Sequence, residues 1–145
     1  MTTAVTQDKD FLVKILVDNL KWSHGSLNSF KLEELQQLYE YILDGYKIFK
    51  AKSHEQSFTI SLTIPKKVSD MMGLEYGDLF RVKGNADKRQ VILYKEEKGR
   101  LKLGANRKII FPVLVAQKKL LKGNDDTMIL VKNERIILKS FTYMQ

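Results

Sequence analysis

The spacing of apolar residues changes near residue 54, and this change constrains the fold more than any other feature of the sequence. Before it, apolar residues recur every three or four positions, the spacing of one face of a helix. From Phe58 to Ile64 they alternate with polar residues, the spacing of a strand with one buried face. The sequence therefore predicts an α+β fold, with helices in residues 1–54 and strands in residues 55–145.

The N-terminal segment contains two runs with helical spacing. The first extends from Asp10 to Trp22 and ends at a loop over Ser23–Ser26. The second extends from Leu32 to Phe49, with carboxylates early and lysines late, as the helix dipole favours. Together they predict an α-hairpin whose apolar seam packs on the rest of the chain, on a second copy or on a partner protein. Packing within the chain is the favoured interpretation.

The positive charge of the chain is confined to its second part. Residues 1–55 contain 7 lysines and no arginine against 8 carboxylates, whereas residues 56–145 contain 18 basic and 9 acidic residues. A local excess of this kind attracts polyanions, and nucleic acid is the commonest polyanion in cells. The alternative is a solvated basic surface that serves solubility alone.

One order of elements occurs twice after residue 55. A strand ends at a proline, a short helix follows, and two further strands form a hairpin. A shift of 47 positions superposes Pro65 on Pro112 and Asp78 on Asp125, and Gly73 is predicted to cap the first short helix. The two units are predicted at residues 58–95 and 107–140, joined by a polar linker at residues 96–106.

The first unit resembles a known family of DNA-binding domains. Residues 61–82 read SLTIPKKVSDMMGLEYGDLFRV and are followed by VILY at residues 91–94. This stretch is similar to the AbrB/SpoVT family, and the second unit is similar to it more loosely. The resemblance implies that the two units interleave into a swapped-hairpin barrel, as in tandem MraZ-type members, and that the barrel binds duplex DNA.

Candidate DNA-binding residues come from the resemblance and from the basic runs. The resemblance implies roles for Lys66 and Lys67 after Pro65 and for Arg81 and Lys83 on the next strand. The basic runs add further candidates, which are Lys88, Arg89, Arg107, Lys108, Lys118 and Lys119. In the second unit, Val113 and Leu114 occupy the positions of Lys66 and Lys67. Either this unit supplies structure alone, or the fold has lost DNA binding.

Arg81 is the candidate best suited to reading a base. Its planar guanidinium bonds guanine twice, whereas a lysine acts as a point charge. The alternative is a surface ion pair, with Asp78 as the expected partner. Lys98, Arg100 and Lys102 in the linker are expected either to be solvated or to grip the DNA backbone without sequence preference.

The sequence offers little for catalysis, cofactors or metals. It contains no cysteine, and its two histidines, His24 and His54, lie beside serines in expected loops without a ligand pattern. No phosphate-binding glycine loop, zinc pair or nucleophile motif is present in the sequence. We therefore expect no enzyme activity, no cofactor and no metal site.

Nothing in the sequence predicts a membrane span. The longest apolar stretch, residues 109–116, is far shorter than the ~20 residues that a membrane helix requires. Residues 1–7 lack the basic start and apolar core of an export signal, so a cytoplasmic location is expected.

Two functional hypotheses follow from these patterns. In the first, the protein is a DNA-binding transcription regulator that grips duplex DNA with its barrel and forms a homodimer or docks a partner through its N-terminal helices. In the alternative, it is an antitoxin-like or inhibitory protein-interaction module whose barrel is a scaffold and whose helices bind a protein. RNA binding is a third hypothesis with less support.

Overall fold

A computed structural model of the protein describes residues 8–145. The helices are α1 (Lys9–Leu20), α2 (His24–Asn28), α3 (Leu32–Leu43), α4 (Lys66–Met72) and α5 (Val113–Gln117). The strands are β1 (Lys47–Gln56), β2 (Thr59–Thr63), β3 (Leu79–Asn85), β4 (Gln90–Lys95), β5 (Leu101–Lys102), β6 (Lys108–Ile110), β7 (Asp126–Lys132) and β8 (Arg135–Ser140). Short 3₁₀ turns occur at Ala105–Arg107 and Phe141–Met144.

The N-terminal helices begin at side-chain caps. A carboxylate oxygen of Asp8 accepts from the backbone N–H of Asp10 at 3.0 Å, which starts α1 close to the expected position. The stretch after Trp22 was expected to be a loop, and this expectation is wrong. The Ser23 hydroxyl accepts from the Ser26 N–H at 3.1 Å and starts the short helix α2, which buries Leu27.

The second long helix is shorter than its apolar spacing predicts. It ends at Leu43, and Gly45 follows with a φ of +95°, a conformation that suits glycine and turns the chain out of the helix. From Lys47 the chain is strand β1, because its backbone pairs with β7 from Lys47 opposite Val131 to Lys52 opposite Asp126. The expected division of the chain at residue 54 stays a prediction, and β1 runs through that position.

The eight strands form one antiparallel sheet that is nearly closed into a barrel. Their order is β5-β3-β4-β8-β7-β1-β2-β6, and β5 and β6 at the two ends lie beside each other. The Gly104 N–H donates to the Lys108 carbonyl at 2.8 Å between these two ends. Strand β5 lies inside the segment expected to be a linker, where its pairing with β3 orders the chain. Closure of this kind removes exposed strand edges.

The two sequence repeats occupy one sheet and contact each other at equivalent positions. Strands β3 and β7 have equal length and are separated by 47 positions, the shift that relates the repeats. In the β2–β6 pair, Leu62 lies opposite Ile109, which is its own equivalent under that shift. Strand β4 of the first repeat likewise pairs with β8 of the second. The β2–β6 and β4–β8 pairs therefore each join a strand of residues 58–95 to a strand of residues 107–140.

The apolar seam of the N-terminal helices is buried against the outside of this barrel. The buried helical residues include Leu12, Leu16, Leu35 and Leu38, which share a core with Met128, Leu130 and Ile137 of β7 and β8. A separate core fills the barrel interior around residues such as Leu62, Phe80 and Ile109. Packing of the seam within the chain is therefore confirmed. A homodimer through this seam is not supported, because the barrel already covers it.

The helices between residues 8 and 145 include none with the length and apolar composition needed to cross a membrane. The expectation that residues 1–7 carry no export signal concerns a segment outside the described residues.

Candidate nucleic-acid interface

The junction between β2 and α4 presents two lysines to solvent. Pro65 caps the helix with a φ of −58°, and Gly73 ends it with a φ of +64°, as the sequence predicted for Gly73. Lys66 and Lys67 are the first two residues of α4, and both are exposed, while Val68 is buried and anchors the helix to the barrel. The local sequence thus fixes the exposure of both lysines.

Arg107 binds this junction to the second repeat. The Ile64 N–H donates to the Arg107 carbonyl at 2.8 Å, and the Arg107 Nε–H donates back to the Ile64 carbonyl at 3.0 Å. Arg107 and Asn106 both have positive φ values, near 60°, which place the arginine at the end of β2. The next residue, Lys108, is exposed and lies opposite Thr63 in the β2–β6 pair.

A further lysine lies on the same outer face of the sheet. Lys52 of β1 is exposed and directly precedes Ser53, whose strand partner is Leu62, the neighbour of Thr63. The β1–β2 register, continued by one residue, sets Lys52 beside Thr63, whose partner on the other side is Lys108. With strands about 4.8 Å apart, the backbones of Lys52 and Lys108 are then about 10 Å apart. Sequence analysis missed Lys52 because it was assigned to the end of a helix. We call Lys52, Lys66, Lys67, Arg107 and Lys108 the basic cluster.

Two carboxylates lie close to this cluster, and one of them, Asp126, is opposite Lys52 in the β1–β7 pair. Lys66 Nζ lies 3.1 Å from Asp70 Oδ2 one turn along α4, with side chains 74% and 65% exposed. A pair this exposed is screened by water and salt and contributes at most about 1 kcal/mol. A phosphate can therefore compete for the lysine.

Arg81 forms a surface ion pair, but with a different carboxylate from the one expected. Its Nε lies 3.0 Å from Glu96 Oε2, and its guanidinium lies 4.3 Å from the centre of the Tyr94 ring. The expected partner Asp78 instead lies 3.6 Å from Lys95 Nζ. The ion-pair alternative was right in kind and wrong in partner, because the β3–β4 register brings the end of β4 beside Arg81.

Arg81 also belongs to a groove at the second strand-to-helix junction. This groove has a volume of about 330 Å³ and is lined by Arg81, Lys98, Arg100 and Pro112 over an apolar floor. Gly99 allows the linker to approach the groove closely, since a Cβ at that position would overlap the backbone of Phe80. Arg81 therefore shares a groove with the linker cations Lys98 and Arg100. No described contact links it to Lys66.

The other candidate cations lie in two further places. Lys118 and Lys119 are exposed and precede Leu120, which packs against Gly84 beside Lys83 at the end of β3. Lys88 and Arg89 lie in the β3–β4 turn, where the Arg89 guanidinium is 4.6 Å from the Tyr143 ring. Of the ten candidates, Lys66, Lys67, Arg107 and Lys108 are therefore the ones that described contacts bring to one junction.

The histidines and carboxylates make no evident site. His24 and His54 are both exposed, one at the start of α2 and one on β1. In the part of the chain that the structure describes, no group of three or more histidine, aspartate or glutamate side chains is placed to hold a metal ion.

No protein-family model, no curated protein and no solved structure matches this chain. The chemistry of its surface is therefore the basis for assigning a function.

Proposed function

We propose that this protein is a DNA-binding transcription regulator of AbrB/SpoVT type, whose tandem swapped-hairpin barrel grips duplex DNA through the basic cluster. The resemblance of residues 61–82 to that family supports the proposal. So do the sharing of one sheet by both repeats and the pairing of Leu62 with its equivalent Ile109.

The observation that carries the proposal is the gathering of cations at the β2–α4 junction. Lys52 and Lys108 come from two strands, β1 and β6, and Lys66 and Lys67 come from the start of α4. Arg107 donates a hydrogen bond to the Ile64 carbonyl from the other repeat. Phosphates are recognised by cations held on rigid elements, and such contacts supply affinity and register without reading sequence. The groove of Arg81 and Arg100 is a second place from which arginines can reach DNA.

The alternative in which the N-terminal helices seize a protein partner is less favoured. Their apolar face is buried against β7 and β8, so a partner would have to displace the barrel to reach it. A protein-binding role finds better support on another surface, described in the next subsection.

Fluorescence anisotropy with a random-sequence duplex tests the proposal. The variant Lys66→Ala/Lys67→Ala/Lys108→Ala removes three charges from the basic cluster. The matched control, Lys118→Ala/Lys119→Ala/Lys122→Ala, removes three exposed charges elsewhere. The logarithm of affinity should fall with the logarithm of salt with a slope of about 0.9 per neutralised phosphate, so the first variant should lose about 2.7 from the slope.

The control variant should keep a slope close to that of the unaltered protein. Equal losses in both variants would show that only net charge matters and would contradict an interface at the basic cluster. Absence of duplex binding at low ionic strength would overturn the proposed function. Parallel titrations with single-stranded DNA and with RNA decide which nucleic acid is preferred.

A further inference from the structure

The two strand-to-helix junctions, at Pro65 and Pro112, differ in their surface chemistry. At the first junction the helix begins with Lys66 and Lys67, and at the second it begins with Val113 and Leu114. These two apolar side chains are 44% and 57% exposed. The same backbone arrangement therefore presents cations at one junction and aliphatic groups at the other.

Two more exposed apolar side chains extend this surface. Ile110 of β6 is 56% exposed, and Phe58 beside β2 is 77% exposed. Phe58 shares a cavity with Ala116 and Gln117 of α5, and Gln117 lies one turn from Leu114 on the same helical face. We call Phe58, Ile110, Val113 and Leu114 the apolar patch. Patches of several exposed large apolar groups are typical of interaction sites.

Helix α5 lies between two cavities with partly apolar walls. The cavity at its C-terminal end has a volume of about 210 Å³ and is lined by Phe58, Ile60 and Leu121 among others. The groove at its N-terminal end, of about 330 Å³, has Phe80, Val82 and Leu101 in its floor. Cavities on both sides of an apolar ridge can accept side chains from an opposing peptide.

The charges around the patch select the kind of occupant. Lys98 and Arg100 line the groove at one end of α5, Lys118 follows the other end, and Lys122 and Glu55 line the smaller cavity. Cations therefore outnumber carboxylates here, even with Glu96 counted as the partner of Arg81 in the groove. A second copy of this chain, with its net charge of +8, would bring like charges together. Nucleic acid offers phosphates but gains little from aliphatic groups.

We propose that the apolar patch is a docking site for a segment of another protein that combines aliphatic side chains with aspartate or glutamate. The aliphatic groups would cover Val113 and Leu114 and enter the flanking cavities, while the carboxylates would meet Lys98, Arg100 and Lys118. The patch adjoins the basic cluster, since Ile110 and Lys108 lie two residues apart on the same face of β6. The proposal does not depend on DNA binding.

Selection from a random 12-residue peptide library displayed on phage tests the proposal with the full chain. The variant Val113→Ser/Leu114→Ser keeps the charge and changes only exposed side chains, so it serves for subtraction. Selected peptides should be enriched in both acidic and aliphatic residues. The best peptide, labelled for anisotropy, should bind the variant at least about tenfold more weakly and should weaken as salt rises.

Lys66→Ala/Lys67→Ala is the matched control and should leave peptide affinity unchanged, while Val113→Ser/Leu114→Ser should leave duplex DNA affinity unchanged. Peptides without this composition, or equal binding to both proteins, would overturn the proposal. So would patch-dependent binding to phosphatidylserine vesicles without peptide enrichment, which indicates a membrane surface. Patch-dependent dimerisation in sedimentation velocity would overturn it in favour of a second copy.

Discussion

Lys139 Nζ of β8 lies 2.9 Å from Glu34 Oε1 of α3, and their side chains are only 8% and 19% exposed. This ion pair joins the N-terminal helices to the barrel inside their shared interface. Glu34→Gln should lower the free energy of unfolding by about 3 kcal/mol, because it leaves the lysine charge largely buried without its partner. Urea unfolding followed by circular dichroism measures the change.

Two comparisons make this prediction specific. The double variant Glu34→Leu/Lys139→Met should recover most of the lost stability, since it removes both charges from the interface. Asp70→Ala, which breaks the exposed pair with Lys66, should change stability by no more than about 0.5 kcal/mol. Similar effects of Glu34→Gln and Asp70→Ala would contradict the burial of the first pair.

Gly99 is predicted to be a position where even alanine is not tolerated. A Cβ there would overlap the backbone of Phe80, which pairs with Leu101 of β5. Gly99→Ala should therefore lower the free energy of unfolding by about 1–3 kcal/mol as β5 is displaced. Gly25→Ala is the control, because a Cβ in that part of α2 meets nothing within 4 Å. It should be neutral or stabilise the protein by up to about 1 kcal/mol.

Arg107 is predicted to contribute a hydrogen bond to the Ile64 carbonyl as well as a positive charge. Arg107→Lys keeps the charge but loses the Nε–H bond to the Ile64 carbonyl, so stability should fall by about 1–2 kcal/mol. If DNA binding depends on the basic cluster, duplex affinity should also fall, whereas Lys118→Arg should change neither quantity. An Arg107→Lys protein with unchanged unfolding would show that the hydrogen bond contributes nothing.

The stability of the protein should decrease in alkaline solution in a manner that depends on Tyr41. Burial raises the pKa of Tyr41 above its usual value near 10, and this outweighs the opposing hydrogen bond with Gln90. Above pH 10 the folded protein retains a proton that the unfolded chain has lost, so the free energy of unfolding falls as pH rises. Tyr41→Phe removes this contribution.

Urea unfolding between pH 8 and 11 should therefore give a shallower decline for Tyr41→Phe than for the unaltered protein. Burial also raises the pKa of Tyr143, so Tyr41→Phe/Tyr143→Phe should flatten the decline further. Identical slopes for all three proteins would contradict the prediction.

Removal of residues 1–45 is predicted to prevent the barrel from staying monomeric. The deletion uncovers Met128, Leu130 and Ile137, which the helices bury, while leaving strand β1 in place. An uncovered apolar sheet face of this kind associates with other copies. Size-exclusion chromatography should show aggregates, and a stable monomer would indicate that the helices are dispensable.

Much of the local structure could be predicted from short stretches of sequence. The predicted ends of the two units, residues 95 and 140, coincide with the ends of β4 and β8, and Gly73 caps α4 through its own conformational freedom. Strand β1 could not be predicted in this way. Its start continues the spacing of the preceding helix, and it becomes a strand because β7 supplies backbone hydrogen-bond partners some 80 residues away.

Some features of the candidate site could likewise be predicted from neighbouring residues, and others could not. The exposure of Lys66 and Lys67 follows from Pro65 and the buried Val68 next to them. The presence of Arg107, Lys108 and Lys52 beside them depends on the pairing of β2 with both β1 and β6. Arg81 pairs with Glu96 because of the β3–β4 register. The alternation of apolar residues does not show which charged residues this register brings together.

The sequence by itself determined the location of the positive charge and indicated two N-terminal helical segments followed by strands. These properties depend on residues a few positions apart, whose conformational preferences act locally. Only the tertiary structure decided that the helices cover the barrel, that Lys139 meets Glu34 and that Arg107 bonds to Ile64. Those outcomes depend on the register in which strands distant in the chain pair with one another. That register is set by the free energy of the whole sheet and not by the preferences of any one segment.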